Sequence, residues 1–120
     1  MAADDNEWRL QGQDSSTLLD CLDQILPGFR QYMRNEGLFD SASLHGVFAS
    51  CSHFVRNQPQ TVETWMRLAV LLNSFVDGSD SRLDNAASTC FLENLAEPGH
   101  PLGPLLKGKA REFWTELGGS

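Results

Sequence analysis

Apolar residues recur at helical spacing in one stretch after another. Leu18, Leu22, Ile25 and Phe29 follow one another at intervals of four, three and four, which is one face of a helix. Ser15 or Ser16 opens that helix, since either hydroxyl accepts from free first-turn N–H groups. Pro27-Gly28 breaks it, because proline removes a hydrogen bond and clashes with the preceding turn. A short second helix through Phe29, Tyr32 and Met33 then ends near Gly37. In the third, capped by Asp40 or Ser41, Leu44, Val47, Phe48, Cys51, Phe54 and Val55 fill one stripe. It stops near Asn57, two residues before Pro59. The fourth spans 61–76, with Val62, Trp65, Met66, Ala69, Leu72 and Val76 as its buried face. Leu68, Leu71 and Phe75 widen that face, so this helix is expected at the centre. Asp77-Gly78 ends it with a turn that favours glycine.

Ser81 and Asp84 resemble a capping box for a fifth helix, lined by Leu83, Ala87, Cys90, Phe91 and Leu95. Pro98-Gly99-His100-Pro101 reads as a loop, residues 102–106 as a short turn, and 109–117 as a last helix carrying Phe113, Trp114 and Leu117. No stretch alternates with the two-residue period of a strand. The predicted class is all-α, an irregular bundle or small right-angled stack of about five to six short helices. Residues 15–118 form one helical domain behind an acidic, flexible leader, residues 1–14. Trp8 in that leader either packs on the domain or serves as a contact residue.

A chain of 120 residues, 41% apolar and 21% charged, has the size and make-up of one globular domain. It has no apolar run of about 18 residues, so no membrane helix is expected. The opening residues are acidic and polar, unlike a secretory signal, and the expected location is the cytoplasm. Cys21, Cys51 and Cys90 are too widely spaced for a disulfide framework.

Sixteen acids against nine bases leave a net charge of −7, which disfavours nucleic acid as a partner. Most of the excess lies early, with residues 1–40 at −5 and the two later thirds at −1 each. An acidic surface speeds encounter with a basic protein. The contact set this points to is Asp20, Asp23, Glu36 and Asp40, with Trp8 or Tyr32 as aromatic anchor.

Neither a metal nor a cofactor is expected. Structural zinc ligands come in close pairs, and Cys51 and His53 are two apart on a helix, so they point apart. Cys51 and Cys90 lie on apolar stripes, where a thiol acts as a small hydrophobe. Gly99, Gly103 and Gly108 lack the strand-then-helix setting of a phosphate loop.

Residues 85–95 read N-A-A-S-T-C-F-L-E-N-L, followed by Gly103-Pro104 and a closing helix with Trp114. This resembles small all-α bacterial proteins of unassigned function associated with polymorphic toxin loci, of the immunity type. The likeness lies mainly in residues 82–117; Leu26-Pro27-Gly28 is a permuted version of an early break in that group. It implies a helical fold and toxin neutralisation, and carries over no catalytic residue. Phe91, Leu92, Leu95 and Trp114 are read as packing residues. Glu93 and Asn94 either satisfy backbone groups of residues 103–106, the first expectation, or face a partner. The expected function is thus a non-catalytic protein-binding module, an immunity protein that occludes the active site of a cognate toxin or effector with a basic surface. The alternatives are an adaptor or secretion chaperone, and a small enzyme built on His45, His53 or Cys51.

Overall fold

The computed structural model describes residues 15–36, 43–76, 78 and 80–119. Among them every regular element is helical. α1 is Ser15–Ile25, α2 Phe29–Glu36, α3 Leu44–Asn57 and α4 Val62–Val76. α5 starts as Ser81–Ala87, widens into a π turn at Ser88–Leu92 and closes as Glu93–Leu95. A 3-10 turn at Gly103–Leu105 leads into α6, Gly108–Glu116. The protein is an all-α bundle. Residues 1–14 and 37–42, with Trp8 and Asp40, lie outside the described residues.

α3 runs through the middle. It packs against α1, α2 and both halves of α5, and Val47, Phe48 and Cys51 on it are essentially solvent-free. Phe48 sits edge-on to Phe75 of α4 at 6.2 Å and tilted against Phe91 of α5 at 6.0 Å. Below it, Phe54 meets Phe29 at 5.6 Å and Tyr32 at 4.9 Å. Edge-to-face pairs put a positive ring edge on a negative ring face. α4 packs on α5, α6, α1 and the 3-10 turn. It is therefore not the fully surrounded helix its composition suggested. Trp65 and Leu72 are buried, but Val62 and Met66 face solvent.

Two caps differ from expectation. Ser43 Oγ, not Asp40 or Ser41, accepts from Gly46 N–H at the start of α3, at 2.9 Å. Asp80 Oδ1, not Ser81, accepts from Arg82 and Leu83 N–H at 3.0 and 3.3 Å and starts α5. Short polar side chains compete for free N–H groups, and the one with extended backbone just before the first turn takes them. Gly28 turns the chain between α1 and α2 with φ of 92°, where a Cβ is disfavoured. Gly78 is needed for room instead, since a Cβ there would lie 2.7 Å from the Ser74 carbonyl oxygen.

The π turn explains one misplaced side chain. An α-helix turns by about 100° per residue, so in a regular helix Cys90 shares a stripe with Leu83 and Ala87. The π turn absorbs one extra residue. It brings Phe91, Leu92 and Leu95 back to the core beside Leu83, Ala86 and Ala87, all buried. Cys90 is displaced toward the edge and is half-buried, in contrast to the core position expected of it.

The loop from α5 to α6 is held by side chains other than those expected. Asn73 of α4 donates to Leu105 O at 3.4 Å and accepts from Lys107 N–H at 2.9 Å. Arg111 donates to the Gly103 carbonyl. His100 Nδ1 accepts from Leu102 N–H at 3.1 Å, and its ring sits edge-on between Trp65 at 5.0 Å and Trp114 at 5.4 Å. Burial among these rings lowers the His100 pKa from its ordinary 6.5, against a smaller opposing pull from Glu97.

Truncating Phe48 to Ala removes the ring shared by α3, α4 and α5. The expected loss is about 3–5 kcal/mol of unfolding free energy, measured by urea titration. His100 sets a pH dependence with a definite sign. Its folded pKa is lowered, so the unfolded chain takes up a proton that the folded ring resists. Its stability contribution is complete above pH 6.5 and falls as pH drops below that value. Thermal melts from pH 7.5 down through 6 should show a falling midpoint, and His100→Asn, which does not titrate, should flatten that limb.

Candidate protein-binding surface

Of the expected contact acids, Asp20 and Asp23 are not bare. Asp20 and Asp23 lie on α1 and converge on Arg30 of α2. Asp20 is ion-paired to the Arg30 guanidinium, and Asp23 Oδ2 lies 3.7 Å from it. Asp23 Oδ1 also accepts from Arg30 N–H at 3.0 Å, so it satisfies a free donor in the first turn of α2. Two carboxylates against one guanidinium leave a local excess of one negative charge. Asp20 is the more open of the two acids, 64% against 31% exposed. Tyr32 leans on Phe54, and its hydroxyl meets His53 Nδ1 at 3.0 Å. Glu36 closes α2.

Among the residues read as structural, Phe91, Leu92, Leu95 and Trp114 are all buried. Trp114 Nε1 is buried without a hydrogen-bond partner among the described residues. Glu93 and Asn94 do not reach residues 103–106 by any hydrogen bond. The Asn94 amide donates to Cys90 O at 2.9 Å and to Ser52 Oγ at 3.2 Å, stitching α5 to α3. Glu93 is exposed.

The residues weighed for an enzyme are not brought together. Cys51 is fully buried, and desolvation pushes its thiol pKa well up. His45 and His53 are eight residues apart on α3, about 12 Å along its axis. His53 pairs with Tyr32, and His45 with Cys90. Among the described residues no group of three His, Cys, Asp or Glu side chains could hold a metal ion, and no helix is long and apolar enough to cross a membrane.

The surface that stands out is apolar. Val62, Met66 and Val70 are 71%, 52% and 71% exposed. They stand four residues apart on α4, so they form a stripe about 12 Å long. At Val70 the stripe runs into a groove of about 560 Å³ lined by Gln24 and Ile25 of α1 and by Arg67, Val70, Leu71 and Ser74 of α4. Asp20 precedes Gln24 by one turn, and Glu63 pairs with Arg67 at 3.3 Å. The face is thus an oily strip with charged margins. It was missed in the sequence because Val62 and Met66 carry the same helical period as Trp65, Ala69 and Leu72. Periodicity marks the apolar side of a helix and is silent on how many neighbours cover it.

No family model matches the chain, and no curated protein or solved structure matches it either.

The two acids of α1 should separate on mutation. Asp23→Asn weakens the accepting group at the start of α2 and should cost about 1 kcal/mol, whereas Asp20→Asn, an exposed pair, should change stability by about 0.5 kcal/mol or less. Paired chemical denaturation curves check the difference.

Proposed function

We propose that this chain is a non-catalytic protein-binding module whose partner docks on the face shared by α1 and α4. The observation that carries the reading is the stripe of Val62, Met66 and Val70 continuous with the groove beside Ile25 and Leu71. Apolar side chains left in water at helical spacing cost free energy that a partner recovers on binding. The resemblance in residues 82–117 narrows the module to an immunity protein that neutralises a cognate bacterial toxin by covering its active site. The net charge of −7 supports a partner with a basic surface, steered in by the acids and held by the apolar strip. In this reading Met66 and Val70 take the anchoring role expected of Trp8 or Tyr32; the Tyr32 hydroxyl is engaged by His53, and Trp8 lies outside the described residues.

A second reading is an adaptor or secretion chaperone for an effector. The groove favours it, because an apolar cleft between two helices accepts a helical or extended segment. The two differ in what they bind: the toxin's catalytic domain in one case, its N-terminal region in the other.

Co-expression with a candidate toxin drawn from the same genomic neighbourhood should restore growth and yield a complex by size-exclusion chromatography. Val70→Asp, at a solvent-facing site, should leave folding nearly unchanged and weaken binding by about 2 kcal/mol, roughly 30-fold in Kd. Growth that is not restored, or a complex indifferent to Val70→Asp and Met66→Asp, refutes this docking face.

A further inference from the structure

Cys90 and His45 meet at the seam between α3 and the π turn of α5, and the protein-binding reading makes no use of them. His45 Nδ1 lies 3.1 Å from Cys90 Sγ, and Thr89 Oγ1 lies 3.7 Å from the same sulfur. The two residues are 45 positions apart, so the fold creates the pair. His45 stands in the first turn of α3, and the π turn swings the sulfur out of the core toward it. Both groups are reachable, His45 being exposed and Cys90 half-buried. On these elements Glu93 follows Cys90 by three residues, while Arg56 stands in the last turn of α3, away from His45, and its guanidinium donates to Asn94 O at 3.4 Å. Cys51 is the contrast: fully buried among apolar side chains, it is packing material.

We propose that Cys90 is a covalent modification site for low-molecular-weight disulfides, with His45 as its base. Sγ attacks one sulfur of the incoming disulfide while its proton passes to His45 Nδ1. A new S–S bond forms, the original S–S bond breaks, and the departing thiolate takes the proton from His45. The incoming disulfide is the only oxidant. Acyl transfer is a poorer fit, because it needs donors aimed at a developing oxyanion. Backbone N–H groups in the middle of a helix are committed to its own carbonyls. Disulfide exchange needs only an activated, accessible sulfur. The modified residue is one that Asn94 ties to α3, its amide donating both to Cys90 O and to Ser52 Oγ.

The test uses the full chain with oxidised glutathione at pH 7, following each cysteine by peptide mass spectrometry. Cys90 is expected to form the mixed disulfide before Cys21, and Cys51 to stay unmodified while the chain is folded. An unassisted thiol is only a few per cent thiolate at pH 7, so His45→Asn should slow Cys90 by about tenfold. That variant should leave the Cys21 rate unchanged, and the gap should close in strongly alkaline buffer, where thiols ionise unaided. Cys90→Ser keeps a hydroxyl beside His45 and should abolish the adduct at this position. Cys21 reacting first, or equal Cys90 rates in the parent and His45→Asn proteins with matching circular dichroism, overturns the proposal.

Discussion

The bundle depends on the ring of Phe48. None of these helices buries its apolar side alone; each needs a wall, and α3 supplies it. Phe48 projects from α3 to the point where Phe75 and Phe91 arrive from α4 and α5. Three helices thus share one contact, and the aromatic layer continues down α3 through Phe54 to Phe29 and Tyr32. Aromatic side chains suit this, because a single residue brings a large apolar area with few rotatable bonds. α4 takes up position on the outside of this arrangement. It has more apolar circumference than it has neighbours, and the remainder is the exposed stripe.

Much of the fold is legible in the sequence. Apart from the start of α3, which comes two to three residues later, the helices fall within a residue or two of the expected bounds, because apolar spacing and the breaks at Pro27-Gly28 and Pro59 are local signals. Caps were less legible. Asp40, Ser41 and Ser43 are all competent acceptors, and only the backbone path decides among them. Cys90 was hidden for a different reason: its place depends on a π turn that no residue type announces. The roles of Asn73 and Asn94 were hidden because each bonds a group far along the chain, and that of Arg111 because it reaches back across a turn to the Gly103 carbonyl. Such pairings exist only after folding.

The candidate surface was legible in its charge and illegible in its oil. Counting acids located an electronegative N-terminal third, and two of those acids, Asp20 and Asp23, do share one small region of α1. Their common partner Arg30 dilutes that charge and gives Asp23 a structural task. The apolar strip beside them came to light only when coverage of α4 could be compared with its composition. Charge brings a partner near and burial holds it, so the two features complement each other across adjoining helices.

The widened turn at Ser88–Leu92 also says something about how this chain tolerates changes in length. A helix that gains one residue must either rotate everything beyond it or bulge, and here the bulge keeps Leu83 and Phe91 on the same side of the axis. Losing one residue within that bulge would restore regular winding with both halves still facing inward. A similar loss in α3, which has no such slack, would spin half of its apolar residues into water. Insertions and deletions in relatives of this protein should therefore collect at the bulge and in the connecting loops, leaving the length of α3 unchanged.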